Sequence, residues 1–340
     1  MRARALGAFI GLAVGDALGM PTQSMSRAQI ANRYGQVLGL VDAIADQPIA
    51  PSMPAGSITD DTEQAILLAH LLIDSDGVVD PREFADALVA WEADMVRRGS
   101  ADLLGPSTKR ALSLLEAGVP PEEAGRTGTT NGAAMRVTPI GVATPASDLD
   151  ALVDAVVATA RVTHNTSLGI AAASAVAAAV SAGIEGASLT EALDAGERAA
   201  AIGARRGYWS AGGDIAARIH WARGWVTGMD RSTLADAVDL VIGTSVAAQE
   251  SVVAAFALAE ALGDDPREAL RLAAEIGGDT DTVAAMCGAM LGACHGIDGI
   301  PAELAETVVK VNGLELEPLV DGLLALRANA STNANTRPRP

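Results

Sequence analysis

The sequence predicts an all-α fold in a single domain, and three observations carry that prediction. Apolar residues recur at helical rather than alternating spacing along most of the chain. Aromatic residues make up only 3% of the sequence against 49% apolar, so alanine and glycine do much of the packing. That composition suits helices in close contact, whereas a β-sandwich draws on aromatic and β-branched strands. Finally, two ridges of glycine lie near opposite ends of the chain. At 340 residues length alone allows one large or two ordinary domains, and the paired ridges favour one.

The first element is a helix over residues 5–19. Arg2 and Arg4 ahead of an apolar run resemble a signal peptide, but Asp16 interrupts the run and no convincing cleavage site follows. Gly7, Gly11, Gly15 and Gly19 recur every four residues and therefore line one side. Each costs about 1 kcal/mol against alanine in a helix interior, a cost that close backbone approach would offset. The matching ridge is Gly288, Gly292 and Gly296, on the helix after Asp281. These two helices are predicted to pack on each other and to draw the chain ends into one core.

Residues 21–58 carry Pro21, Pro48, Pro51, Pro54 and Gly56 and read as a long irregular segment with one short helix near Arg27–Tyr34. An irregular segment of that length in a compact domain is usually functional or mobile. Helices are then predicted at about 62–74, 81–97, 107–117, 149–160, 167–182, 189–202, 232–242, 245–262, 266–276, 282–295 and 301–311. Pro81, Pro120, Pro121, Pro266 and Pro301 occupy first-turn or linker positions. The Ala-rich stretch Ile170–Ala182 is too short and weakly apolar for a bilayer span and reads as a buried core helix. Strand evidence is thin everywhere. Residues 329–340 lack large apolar side chains and are expected to form a disordered tail, leaving 1–328 as the domain.

The formal charge is −18. An excess of that sign repels a phosphate backbone, so nucleic-acid backbone binding is not expected, nor is a membrane partner. The excess suits hard divalent cations, which select oxygen ligands. Cys287 and Cys294 lie on one helix face, too far apart to bond to each other. They read as small buried apolar residues in a reducing compartment, and a cytoplasmic location is expected.

Five segments could carry chemistry. Thr59-Asp60-Asp61-Thr62-Glu63-Gln64 opens a helix, where Thr or Asp is an ordinary N-cap. Two adjacent carboxylates with two flanking hydroxyls exceed what capping requires, and a divalent cation would supply the missing counter-charge. Gly277-Gly278-Asp279-Thr280-Asp281-Thr282 opens another helix with a second cluster of oxygens. Brought together, the clusters offer four carboxylates and up to four hydroxyls, enough for two hard cations. Thr129–Arg136 is a small-residue loop that could wrap a ligand with backbone N–H groups, or simply turn. His164 sits between polar residues before the Ala-rich helix, either as a structural histidine or at a site. Tyr208 and Trp209 flank Gly212-Gly213, where a base or sugar could stack or the ring could anchor a surface turn. Neither acidic cluster has a Lys or Arg beside it in sequence, which argues against a phosphoesterase.

These segments together resemble the ADP-ribosylglycohydrolases over about residues 5–315. The match rests on Gly11–Gly19 (GLAVGDALG), Thr59–Glu63 (TDDTE), Asn131–Arg136 (NGAAMR), Thr163-His164 and Gly277–Thr282 (GGDTDT), in that order. The resemblance implies an all-α orthogonal helix bundle with a two-metal site, usually Mg2+ or Mn2+. It assigns Thr59, Asp60, Asp61, Asp279, Asp281 and Thr282 as metal ligands, with Asp281 bridging. It implies a glycosidase that cleaves an N- or O-linked ribosyl bond, with an ADP-ribosylated protein or a ribosyl small molecule as partner. Asp60, Asp61 and position 23 are its expected catalytic residues. Asn131, Gly132, Ala133, Met135 and His164 match its substrate residues, and Trp209 is a candidate adenine platform. The family usually carries Glu where this chain has Gln23. Gln can coordinate through its carbonyl oxygen but cannot take a proton. No aromatic precedes Asn131, where some relatives stack adenine. Both departures leave two alternatives open: a nucleoside or other small ribosyl substrate, or a relative that binds without catalysing.

Overall fold

The computed structural model describes residues 1–97 and 104–336, with side chains to residue 330. Its helices are α1 (Arg2–Gly19), α2 (Arg27–Tyr34), α3 (Asp60–Asp74), α4 (Pro81–Arg97), α5 (Pro106–Glu116), α6 (Pro121–Ala124), α7 (Gly132–Met135), α8 (Thr138–Ala143) and α9 (Leu149–His164). They continue with α10 (Ser167–Glu185), α11 (Leu189–Gly203), α12 (Ile215–Val226), α13 (Arg231–Ala237), α14 (Ala248–Leu262), α15 (Pro266–Glu275), α16 (Thr280–His295), α17 (Ala302–Asn312) and α18 (Leu316–Thr336). The fold class is all-α. Among the described residues the only sheet pairs β1 (Met25–Ser26) antiparallel with β2 (Gly277–Gly278), matching Met25 to Gly278.

Local chemistry explains seven of the helix starts. Ser26, Asp148, Thr166, Ser188, Asp214, Asp230 and Asp265 each accept a backbone N–H of the first turn through the side chain, which satisfies donors the helix leaves open.

At the centre, α1 lies against α16, as the glycine ridges predict. A Cβ on Gly11 would stand 2.0 Å from the Gly288 carbonyl oxygen, and one on Gly292 would stand 1.9 Å from the Gly7 oxygen. No side chain fits there, so glycine is the only residue that permits this approach. At the C-terminal end of α1, a Cβ on Gly19 would meet the Asp281 backbone at 2.4 Å. The ridge thus delivers the end of α1 to the start of α16. One apolar cluster extends from Ala5 on α1 through α10 and α16 to Leu323 on α18. Two stretches, Arg2–Thr22 and Ser167–Glu185, are long and apolar enough to cross a membrane by length and composition, the second against the expectation that it is too short and weakly apolar, and the apolar body of each is buried in the fold.

Several expectations need correction. The segment before Thr59 is irregular but tightly tied. The Tyr34 hydroxyl accepts from Ile44 N and donates to Pro21 O, while Asn312 accepts from Ile58 N and donates to Gly56 O. The sequence reading missed α12, α18 and the short helices α6, α7 and α8. Residues 329–336, expected to be disordered, continue α18 to Thr336; residues 337–340 lie outside the described residues. Arg327, in the preceding turn, anchors that helix. Its guanidinium donates to Gly141 O, Val142 O and Thr144 O and pairs with Glu185 at 2.6 Å.

Candidate active site

The two acidic clusters, more than 200 residues apart in sequence, meet at one place. Asp60, Asp279, Asp281, Thr282, Gln23, Asn131, Gly132 and Met135 line a cavity of about 280 Å3, together with Lys109 on α5 and Val246. A larger cavity of about 760 Å3 lies elsewhere, between α3, α8, α9 and α18, and Asp76 is its only charged residue. We place the chemistry in the smaller one because the carboxylates converge there.

Capping does not account for these carboxylates. Thr59 is the N-cap of α3 and Asp279 that of α16, yet neither uses its side chain to cap. Thr59 is held instead by Asp16, a fully buried carboxylate on α1. Asp16 accepts from Thr59 N at 3.0 Å, Thr59 Oγ1 at 2.8 Å, Thr62 N at 3.2 Å and Thr62 Oγ1 at 2.5 Å. Asp279 accepts from Asn131 Nδ2 at 2.5 Å, and Asn131 Nδ2 also donates to Ser251. The loop before α14 frames both partners, since its Thr244 O accepts from Asp279 N and its Val246 O from Asn131 N. Gly278, at φ +79°, lies so close to Thr244 that a Cβ would stand 2.4 Å from the Thr244 oxygen.

Gln23 reaches the site by a separate route. The β1–β2 pairing and the bond from Ser24 N to Gly278 O, 2.7 Å, fasten its segment to the second acidic loop. Ser24 adopts φ +59°, a left-handed conformation uncommon outside glycine, Asn and Asp. Gln47 holds the Gln23 carbonyl at 2.9 Å.

The electrostatics are one-sided. Burial, and then neighbouring carboxylates, hold Asp60, Asp61 and Asp281 well above the usual carboxylate range. Burial raises Asp279 too, and pushes Asp16 up to about 6 against four donated hydrogen bonds. Among the described residues the one buried cation nearby is Arg136, which burial lowers to about 10 while Asp60 raises it. Asp61 Oδ1 and Gln23 Nε2 are buried without a hydrogen-bond partner, a rare condition that calls for an explanation. Asp61 Oδ2 lies 3.2 Å from Thr59 Oγ1 and 3.4 Å from Thr282 Oγ1. Neighbouring oxygens around an octahedral cation stand roughly 3 Å apart when its bonds are ~2.1 Å. Among the described residues no three Asp, Glu, His or Cys side chains already meet around one point, as mutually repelling carboxylates would not. The donor set therefore fits hard cations when the Thr59 and Thr282 hydroxyls are counted with the carboxylates.

The structure does not bring every expected residue to the cavity. Thr59 and Asp61 lie just behind its wall, next to residues that line it. Ala133 is buried in α7 and does not line the cavity. His164 is fully buried behind the Asn131 loop, where a Cβ on Gly132 would stand 2.9 Å from its Cε1. Trp209 is 83% exposed and stands away from the cavity lining, and Asp214 of the same segment caps α12. Cations do approach the acidic clusters, contrary to the sequence reading. Lys109 comes from α5, and Arg136 is held behind Asp60 through Gln64. Asp16 was missed as a site residue. Its one signal was a lone carboxylate in the apolar run from Ala5 to Gly19.

A helical frame thus gathers acidic and hydroxyl oxygens from both ends of the chain around one small cavity, an arrangement suited to hydrolytic chemistry. The ADP-ribosylglycohydrolase family profile matches residues 1–333, and the chain belongs to that family. Uncharacterized protein YegU of Escherichia coli strain K12 is 33% identical over 325 residues, 95% of this chain and 97% of its own length. The ADP-ribosyl-[dinitrogen reductase] glycohydrolase of Rhodospirillum rubrum is 29% identical over 335 residues, 95% of this chain and 96% of its own. A solved structure described as an ADP-ribosylglycohydrolase-related protein complex superposes with a TM-score of 0.67 at 27% identity, covering 97% of this chain and 98% of that one. The chain is a glycohydrolase, and its family hydrolyses ADP-ribosyl linkages.

Proposed function

We propose that this chain is a cytoplasmic enzyme that removes ADP-ribose from a modified protein, with two divalent cations, Mg2+ or Mn2+, at the convergent acidic site. The observation that carries this reading is the meeting of Thr59-Asp60-Asp61 with Asp279-Thr280-Asp281-Thr282 in a chain of this family. Thr59, Asp60, Asp61, Asp279, Asp281 and Thr282 would hold the cations. When bound, such cations orient a ribose diol and lower the pKa of a water. The chain's own residues supply the rest. Asn131 is fixed by Ser251, Asp279 and Val246, and Gly132 lines the cavity beside it, its missing Cβ leaving room for the His164 ring. Gln23 presents an amide that can orient a ligand but cannot exchange a proton at neutral pH. Proton transfer therefore falls to Asp60 or Asp61. The cytoplasmic placement is supported by two free, buried thiols.

A second reading is favoured by the cavity itself. Its volume, about 280 Å3, is at the small end for ligand sites, and no aromatic ring is among its described lining residues. A smaller ribosyl compound, such as a nucleoside, would fit without an adenine platform. The test is incubation with Mg2+ or Mn2+ and ADP-ribosylarginine, ADP-ribosylserine and a panel of nucleosides. Turnover confined to ADP-ribosyl compounds supports the first reading. Turnover confined to nucleosides overturns it in favour of the second, and no release of ribosyl product from any substrate refutes both.

A further inference from the structure

Two buried titratable side chains stand behind the cavity without facing it, Arg136 and His164, at 2% and 0% exposure. Their hydrogen bonds form one continuous path. Arg136 Nη1 donates to Gln64 Oε1 at 2.8 Å, and Gln64 Nε2 donates to Asp60 Oδ2 at 3.3 Å. On the other side, Arg136 Nη2 donates to Thr163 Oγ1 at 2.6 Å. Thr163 Oγ1 lies 2.7 Å from His164 Nδ1, and His164 Nε2 lies 2.8 Å from Thr130 Oγ1.

A guanidinium has five donors and no acceptor, and that fixes the sense of its two bonds. Thr163 Oγ1 accepts from Arg136; Thr163 is fully buried, and His164 Nδ1 is the acceptor that its own hydroxyl proton reaches, whereas the part-buried Thr130 can turn its proton elsewhere. Nδ1 then accepts, and a neutral imidazole that accepts at Nδ1 carries its proton on Nε2. Nε2–H donates to Thr130 Oγ1, and the Thr130 proton is left to point away from the path. On the Gln64 side the same rule fixes the amide, with oxygen toward Arg136 and nitrogen toward Asp60. An imidazolium here would be desolvated and would face Arg136, and both effects hold the His164 pKa well below its usual range. The Phe84 ring covers the guanidinium with its centroid 5.1 Å away.

One arm ends on the cavity wall at Asp60. The other ends at Thr130, next in the chain to the lining residues Asn131 and Gly132, with the imidazole directly beneath Gly132. We propose that Arg136 is the source of a buried two-armed hydrogen-bond relay that holds Asp60 in register with the Thr130–Met135 loop. In that relay His164 is a neutral, Nε2-protonated positioning residue and not a ligand of the substrate. This deepens the proposed function and rests on it only for the substrate-binding part of the test.

The tautomer is read by 15N NMR of the histidine rings at neutral pH, in a chain with four histidines. The His164 resonance is identified by its loss in His164→Phe. A proton on Nε2 with an unprotonated Nδ1 supports the relay. A protonated ring, or a proton on Nδ1, overturns it. Binding of ADP-ribose is then measured by calorimetry, and kcat and KM with ADP-ribosylarginine. His164→Phe fills the space without hydrogen bonds. It should weaken ADP-ribose binding and raise KM by about ten-fold, as loss of a supporting bond does, with kcat within about two-fold. His164→Gln can accept from Thr163 and donate to Thr130, so it should restore most of the binding. Unchanged binding in His164→Phe, or a loss of kcat at constant KM, overturns the positioning role. If the wild type turns over no ADP-ribosyl compound, the proposed function fails, and the tautomer still decides the relay.

Discussion

At the scale of single residues, Asp16 shows how a site depends on a group that does not line it. Its carboxylate takes two backbone and two hydroxyl donors from the first turn of α3 and so fixes where Thr59 and its neighbours point. Asp16→Ala would leave these donors buried and unsatisfied, and should lower stability by roughly 2–4 kcal/mol in urea unfolding. A midpoint and slope equal to wild type would refute the assignment. The pKa of Asp16 carries a second consequence. Burial raises it from 3.8 to about 6, and Asp60, Asp61 and Asp281 shift the same way. The folded chain therefore binds protons that the unfolded chain binds only at lower pH. Stability from this source is complete below the ordinary carboxylate pKa and is lost as pH rises through the folded value, about 6 for Asp16. Protein treated with chelator should accordingly melt at a higher temperature at pH 5 than at pH 8. The opposite order would mean that these carboxylates are satisfied without cations.

At the scale of elements, the α1–α16 contact makes an unusual demand, because even a methyl group is excluded. Gly→Ala in a free helix gains about 1 kcal/mol, but at Gly11 or Gly288 a Cβ would meet carbonyl oxygen at 2.0 Å. Gly11→Ala and Gly288→Ala should each destabilise, reversing the intrinsic sign, and a gain in melting temperature in either would show that the helices can part. Both thiols of α16 are buried, Cys294 among Ala182 of α10 and Ala192 and Ala195 of α11, and burial pushes Cys287 up to about 12 and Cys294 to about 11. Native protein should react with no thiol reagent at neutral pH, and unfolded protein should show both groups. This contact was legible in the sequence because four costly glycines at a helical repeat have few other uses. The acidic clusters were legible because each holds more oxygen than a cap needs. Helices α12 and α18 were not, and each carries an interior glycine, Gly224 and Gly322, that lowers its helix propensity. Gly322 lies where α18 packs on α3, since a Cβ would stand 2.8 Å from Ile73 Cδ1. Asp16 and Lys109 were illegible for a different reason. Each is a lone residue whose role is set by a distant partner, and no local pattern marks it. Trp209 was left between two readings because an aromatic beside a Gly pair looks the same in sequence whether it stacks on a ligand or stands in solvent; the structure leaves it 83% exposed and off the cavity lining.

At the scale of the whole molecule, the site doubles as a joint. Asp16 comes from α1, Asp60 and Asp61 from α3, and Asp281 from α16, so the acidic centre binds elements from both ends of the chain. Arg2 on α1 and Asp321 on α18 form a further link between the ends, but that pair is exposed and contributes little. The carboxylates are different, because bringing them together costs free energy that the proposed cations would recover. A cation that binds the folded chain and not the unfolded one adds RT ln(1 + [M]/Kd), about 2.7 kcal/mol at a hundred times Kd. Because the ligands belong to helices that form one apolar cluster, that energy should stabilise the entire fold and not one loop. Titration with Mn2+ should therefore raise a single melting transition progressively, with the helical circular dichroism and the tryptophan fluorescence moving together. In Asp281→Ala the transition should stay where it is without metal, whatever the Mn2+ concentration. If fluorescence and circular dichroism separate as Mn2+ is added, the site stiffens only its own neighbourhood. If Asp281→Ala responds as the wild type does, the cation is held elsewhere.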